Sequence, residues 1–382
     1  MGEIQAWLAA RADEMVELLA ELVAVETENP PGRELGTCAR VLRDAMARLE
    51  LAPELIELPP TGALEEPAVV RGIAGSGEKL LYFHGHFDVV PVQDRGQFTL
   101  DRRDGKLFGR GTADMKGGLV SMLYGAAAAR DLGLLGDGRI VLHLVCDEET
   151  GSVAGAGHLR AAGLIDPDAV AMLTAEPSGG RIWHAARGAL SLRVDVRGRE
   201  AHVGQADTGV NAFAHLLHVA RPVEAYAAEA VARGDMVVVG GLAGGGSNFN
   251  VVPGSAFFTV DTRYRPEADL DAELKRLTGL IDAAAAEIGA DVSVEVTQLQ
   301  PPAATSSSHP AAVELARCTG GAFETCPGIL DIRWYAQLGI PAFAYGAGLL
   351  DVSHGPGEYV EEAALHRCAA VYARYASVML SR

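Results

Sequence analysis

The chain has 382 residues, 49% of them hydrophobic and 21% charged, the composition of an ordinary globular protein long enough for two domains. A formal net charge of -18 excludes a nucleic-acid binder working through a basic face, and otherwise speaks to solubility more than to substrate. Five scattered cysteines with no C-x-x-C fit a reducing compartment rather than a disulfide framework. No basic start followed by an apolar core marks a secretory leader, and no apolar run reaches membrane-span length. A soluble, cytoplasmic protein is therefore expected.

Residues 3 to about 25 place Ile4, Trp7, Leu8, Met15, Leu18, Leu19, Leu22 and Val23 at helical spacing. Asn29-Pro30-Pro31-Gly32 ends that helix, and a second amphipathic helix is expected over 35–49. Strands are expected at 68–73 and 79–84. The second, K-L-L-Y-F-H, is apolar enough to be buried on both faces. It runs into G-H-F-D-V-V-P at 85–91, where His86 and Asp88 share a side of an extended chain. G-R-G-T-A-D-M-K-G-G at 109–118 puts Asp114 on a glycine-flanked turn before a helix near 116–132. R-I-V-L-H-L-V-C at 139–146 reads as a buried strand ending in D-E-E-T-G-S at 147–152. A helix near 155–162, a strand at 168–174 and T-A-E-P-S at 174–178 follow. Strand and helix alternate, with acids and a histidine at strand ends, as an open α/β sheet presents a site.

From about 182 the texture changes. A-L-S-L-R-V-D-V-R-G at 189–198 alternates like a half-buried strand. A helix at 211–232, strands at 236–242 and 255–263, a helix at 267–288 and a strand at 291–298 complete an α+β unit. The expected organisation is a catalytic domain over 1–183 and 299–382, with an inserted domain at 184–298.

Taken singly, the strand-end acids are turn or cap residues as readily as ligands. His84 and His143, inside apolar strands, read as satisfied core histidines. Taken together, His86, Asp88, Asp114, Glu148, Glu149, Glu176 and His354 supply imidazoles and carboxylates of the type that binds zinc, cobalt or manganese. Two metals sharing a carboxylate would leave a place for water, and a carboxylate free of metal could take its proton.

Five of these segments, G-H-F-D-V-V-P, G-R-G-T-A-D-M-K-G-G, D-E-E-T-G-S, A-E-P-S and S-H-G-P-G-E, lie in register along the chain. They resemble the signatures of the dinuclear-zinc amidohydrolase and metallopeptidase family. That family includes acetylornithine deacetylase, succinyl-diaminopimelate desuccinylase, aminoacylase and glutamate carboxypeptidase. The resemblance implies a zinc-exopeptidase-like α/β catalytic domain with an inserted α+β, ferredoxin-like lid and dimerisation domain. It implies two divalent ions, zinc first and cobalt or manganese as alternatives. His86 and Glu176 would bind one metal, Glu149 and His354 the other, and Asp114 both. Asp88 would hydrogen-bond the second nitrogen of His86. Glu148 would be the general base that later protonates the leaving amine.

A-H-V-G-Q at 201–205 resembles the segment whose histidine, here His202, reaches the site of the other subunit of a homodimer and holds the developing oxyanion. Without the resemblance His202 is a surface-loop histidine. S-N-F-N-V-V-P and D-T-R-Y-R-P resemble the substrate-carboxylate contacts, here Asn250 and Arg263. Arg187 and Arg333 stay open as either substrate contacts or structural ion-pair partners. Two departures, the Trp-free stretch 95–108 and the loop 344–353, bear on specificity and leave the chemistry in place. The expected activity is hydrolysis of the amide bond of an N-acyl amino acid. A dipeptidase or carboxypeptidase, and a non-catalytic metal-binding protein on the same scaffold, are the alternatives.

Overall fold

The apolar run Lys79–His86 forms a strand buried from Leu80 onward. Gly138–Val145 and Ala171–Thr174 flank it in parallel, and Ala342–Ala344 extends the parallel set. Strands paired this way and covered on both faces read as unbroken apolar runs. In the computed structural model, which describes residues 2–381, they form the centre of a nine-stranded sheet. Ala68–Gly75 and then Glu54–Glu57 add antiparallel strands on one side, and Ile182–Ala186 lies beyond Ala342–Ala344 on the other. Because the four central strands share a direction, their carboxyl ends lie along one edge. His86 ends one strand. The acids at 147–149 follow the second, Glu176 follows the third, and the loop bearing His354 follows the fourth.

The N-terminal amphipathic pattern expected as one helix is two, Gly2–Ala9 and Ala12–Val23. The Arg11 N–H bonds Leu8 O in a tightened turn, and Arg11 takes φ -120, which ends the first helix before the second begins. The helix Lys116–Asp131 packs along Glu362–Leu380. A Cβ on Gly125 would stand 2.7 Å from Tyr372 Cβ and 2.8 Å from Ala369 O, so only glycine permits this crossing. At the start of the same helix, a Cβ on Gly118 would stand 2.5 Å from Ala175 O. That glycine lets the Asp114 turn approach the strand end carrying Glu176.

The chain divides into two compact units. One runs up to Ala185 and resumes over Ala304–Thr325 and from Leu330. The other is Ala186–Ala303 with Cys326–Ile329. The second unit runs strand, helix, strand, strand, helix, strand: Gly188–Arg197, Ala212–Ala232, Met236–Gly245, Ser255–Tyr264, Leu270–Ile288 and Asp291–Gln300. Its antiparallel sheet has Met236–Gly245 at one edge, then Ser255–Tyr264, Gly188–Arg197 and Asp291–Gln300, the ferredoxin-like order. Its first and last strands are neighbours, with Ala189 opposite Gln300. The inward residues Leu190, Leu192, Val194 and Val196 pack with Leu216, Val219, Leu277 and Ile281 from the helices. Asn211 and Asp269 cap the two helices by accepting backbone N–H groups. The protein is thus a mixed α/β catalytic domain carrying an inserted α+β domain. Among the described residues no helix is long and apolar enough to cross a membrane.

Candidate active site

His86 Nδ1 lies 3.0 Å from the carbonyl of Asp88. A carbonyl only accepts, so Nδ1 donates, and Nε2 is turned toward the acids. That nitrogen is 3.2 Å from Asp114 Oδ1 and 4.0 Å from Glu176 Oε2. The other oxygen of Asp114, Oδ2, lies 3.3 Å from His354 Nε2, which is also 3.5 Å from Glu149 Oε1. One carboxylate therefore stands between two imidazoles, and each imidazole has a further carboxylate at its side. Ligand atoms of His86, Asp114 and Glu149 fall within 4.8 Å of one another. His86, Asp114 and Glu176 are buried, whereas the His354 side chain is 48% exposed.

Asp88 does more than the expected contact with His86 Nδ1. Its carboxylate is 3.4 Å from His86 Nδ1, and the shorter contact is through its main-chain carbonyl. The carboxylate also accepts the N–H of Glu148 at 3.2 Å, the N–H of Glu149 at 3.2 Å and Nδ2 of Asn29 at 2.9 Å. It pins the short helical turn Glu148–Thr150 that carries both acids. Asn29, which the sequence offered only as part of a helix-ending Pro-Pro turn, also donates to Thr150 Oγ1 at 3.1 Å. No spacing pattern links position 29 to this site, because the fold alone brings it there.

The far side of the same turn is held by a buried network. Asp331 accepts from the Ser152 hydroxyl, lies 2.9 Å from His84 Nε2 and pairs with Arg333 at 3.3 Å. Arg333 Nη2 donates to Gly151 O at 3.0 Å. The Tyr335 hydroxyl meets Nδ1 of both His84 (3.0 Å) and His143 (2.8 Å); His84 is thereby bonded at both ring nitrogens, whereas the buried Nε2 of His143 has no hydrogen-bond partner among the described residues. Arg333, left open between two roles by the sequence, is 1% exposed and spends its guanidinium on Asp331 and Gly151. It is an ion-pair partner in this structure.

Crowding of acids sets the electrostatics. Burial, then the charge of Glu176, pushes Glu148 well above the usual carboxylate range. Burial raises Glu149 against the opposing pull of the nearby His354. Burial also takes Glu176 to about 8, with His86 opposing and Asp114 adding to the rise. Asp114 goes the other way. Burial would raise it, but hydrogen bonds from His354 and His86 prevail and hold it low. His354 rises to about 10, first through Asp114 and then Glu149. Among the described residues, Glu149 Oε1 and Glu176 Oε1 are buried without a hydrogen-bond partner. Anionic oxygens in that condition call for a cation. With two imidazoles and three carboxylates, the donor set suits a pair of divalent ions such as zinc, cobalt or manganese.

The second unit gathers its own candidates. His202 bridges to Val251, and the Val203 N–H bonds Asn250 O at 2.9 Å, so the A-H-V-G-Q and S-N-F-N-V-V-P segments lie together. His202 Nδ1 accepts the Gly204 N–H at 3.1 Å, which leaves Nε2 as the protonated nitrogen of a neutral ring. Arg263 Nη1 pairs with Asp261 at 2.9 Å. Arg187 Nη1 donates to the carbonyls of Gly234 at 3.0 Å and Arg263 at 3.3 Å.

A mixed α/β fold with carboxylates and histidines gathered at the carboxyl edge of its central strands defines the class. The model for peptidase family M20/M25/M40 matches residues 82–378, and the chain belongs to that family. It is a metal-dependent hydrolase. Acetylornithine deacetylase of Myxococcus xanthus is 30% identical over 377 residues, covering 93% of this chain and 95% of that protein. A probable succinyl-diaminopimelate desuccinylase of Staphylococcus aureus (strain MRSA252) is 29% identical over 291 residues, or 68% of this chain and 69% of its own length. The fold is shared with aminopeptidase PepT from Bacillus cereus at a TM-score of 0.76 and 20% identity, covering 96% of this chain and 98% of that one.

Proposed function

We propose that the chain hydrolyses the amide bond of an N-acyl amino acid. The observation that carries the reading is Asp114, whose two oxygens face His86 and His354 at 3.2 and 3.3 Å with Glu176 and Glu149 beside them. In this reading His86, Asp114 and Glu176 hold one divalent ion, and Asp114, Glu149 and His354 the other, zinc being the first to test. Such a pair supplies Lewis-acid activation of the substrate carbonyl and of the attacking water. Glu148 takes one proton from that water as its oxygen bonds the carbonyl carbon. It returns the proton to the amide nitrogen as the C–N bond breaks, and the second proton of the water passes from the new carboxyl group to the amine, releasing a carboxylate and an ammonium. The raised proton affinity of Glu148 suits a group that must both accept and donate. Asp88 holds the Glu148 turn in place through its N–H groups.

Asn250 and Arg263 are proposed to bind the substrate carboxylate, and His202 to donate Nε2–H to the developing oxyanion from the partner of a homodimer. Arg187 remains a weaker candidate for the carboxylate. The edge strand Met236–Gly245, with Met236, Val238 and Leu242 exposed, offers a surface on which such a dimer would pair. The test is turnover of N-acetyl and N-succinyl amino acids, acetylornithine and succinyl-diaminopimelate among them, against dipeptides, with zinc, cobalt or manganese supplied. Faster cleavage of the N-acyl amino acids is expected. Preference for dipeptides would replace this reading with a peptidase.

A further inference from the structure

Arg110 and Glu358 form a buried ion pair, Nη1 to Oε2 at 2.5 Å, with side chains 1% and 0% exposed. No step above uses it. Both partners also hydrogen-bond the segments that carry Asp114 and His354. Glu358 Oε1 accepts the N–H of Ala113 at 2.9 Å and of Asp114 itself at 3.1 Å. The Glu358 carbonyl accepts the Gly109 N–H at 3.1 Å. Arg110 Nη2 donates to His354 O at 3.2 Å and to Gln93 Oε1 at 3.0 Å. Gln93 Nε2 donates to the same His354 carbonyl at 3.0 Å. His354 has φ 64, a left-handed conformation that a non-glycine residue keeps when its surroundings over-determine it. Two donors converging on its carbonyl do so.

A buried ion pair adds little stability over a well-packed apolar pair, so its value lies in the geometry it fixes. We propose that the Arg110–Glu358 pair, with Gln93, is a clamp that sets the separation of Asp114 and His354. It thereby tunes the second metal position, and all three are positioning residues. The inference rests on the reading of Asp114 and His354 as ligands. Outer groups that orient ligands commonly change metal affinity or activity by about 10- to 100-fold when altered.

The test compares the zinc-loaded wild type with Arg110→Lys, Glu358→Gln, Gln93→Ala and, as the ligand control, His354→Ala. It measures zinc content after dialysis, zinc affinity by competition with a chelator, the visible spectrum of the cobalt form, and kcat and KM. Arg110→Lys keeps the charge but cannot reach Glu358, Gln93 and the His354 carbonyl together. Arg110→Lys and Glu358→Gln are expected to hold the second zinc at least about tenfold more weakly, with an altered cobalt spectrum. Their kcat should fall while KM stays within about twofold, since the clamp touches no substrate. Gln93 lies at the surface, so Gln93→Ala keeps the fold and should show a smaller loss in the same direction, which decides the matter if a buried variant fails to fold. A lower Tm in the three clamp variants with unchanged zinc affinity and spectrum would reduce the pair to a structural one and overturn the clamp, while loss of one zinc in His354→Ala kept the ligand reading. Full zinc binding by His354→Ala would overturn the ligand reading and the clamp with it.

Discussion

Glu148 and Asp331 show how one charge type is used in opposite ways around the same turn. Glu148 has its proton affinity raised by burial and by Glu176. Glu148→Gln keeps size and shape but removes the proton acceptor, so kcat should drop by about a thousandfold while zinc content stays that of the wild type. An active Glu148→Gln enzyme would refute the proton shuttle. Asp331 is a structural anion. Burial would raise it, but the His84 hydrogen bond and the Arg333 charge outweigh burial and hold it at about 2. A carboxyl lowered on folding contributes stability above its unfolded value of 3.8 and loses it as pH falls through the folded value. Asp331→Asn should therefore cost about 2–3 kcal/mol at neutral pH. Its deficit relative to wild type should shrink as pH falls from about 4 to about 2, measured as chemical denaturation across pH. A deficit constant with pH would show that packing, not charge, dominates there.

Among the elements, the close contact at Gly118 bears most directly on the site. A Cβ there meets the main-chain oxygen of Ala175 at 2.5 Å, and a carbonyl one residue past the end of the parallel strand Ala171–Thr174 cannot swing aside as a flexible side chain does. Gly118→Ala should destabilise the catalytic domain by about 1–3 kcal/mol and part Asp114 from Glu176, so zinc content should fall together with Tm. Unchanged zinc content would mean that the helix shifts without moving the turn. The central strands were legible in the sequence because burial on both faces leaves an apolar run, as in 79–84 and 139–146. The inserted strands were legible because one face is wet, as in 189–198. The acids at strand ends were legible because open sheets concentrate ligands there. Asn29, Arg110, Glu358 and Asp331 were not. Each meets its partner through a fold-made contact across a long stretch of chain, and no periodicity marks such pairs. The break at Arg11 escaped too, because the apolar spacing continues across it.

At the scale of the whole molecule, the edge strand Met236–Gly245 sets assembly against solubility. The net charge of -18 keeps copies apart at long range, where salt screens it, whereas exposed Leu242 and Val238 favour contact. If the chain forms the proposed homodimer through this strand, Leu242→Asp should give a monomer in light scattering. If His202 works in trans, activity should fall with it, by about 10²–10³-fold as for loss of an oxyanion donor. A monomeric yet fully active Leu242→Asp enzyme would show that His202 does not act across subunits.

The neighbouring first and last strands of the inserted unit, with Ala189 opposite Gln300, have a consequence for modularity. A cassette whose entry and exit stand side by side asks of its host only what a hairpin loop asks, since closure entropy grows slowly with loop length. The stretch between these strands is therefore predicted to be removable. Splicing residue 188 to residue 301 through a short Gly-Ser linker should leave a protein that still binds zinc but has lost its hold on substrate carboxylate. Grafting a different cassette that keeps a histidine at the place of His202 would then be expected to change the substrate preference while the metal-ligand candidates and Glu148 stay in the host.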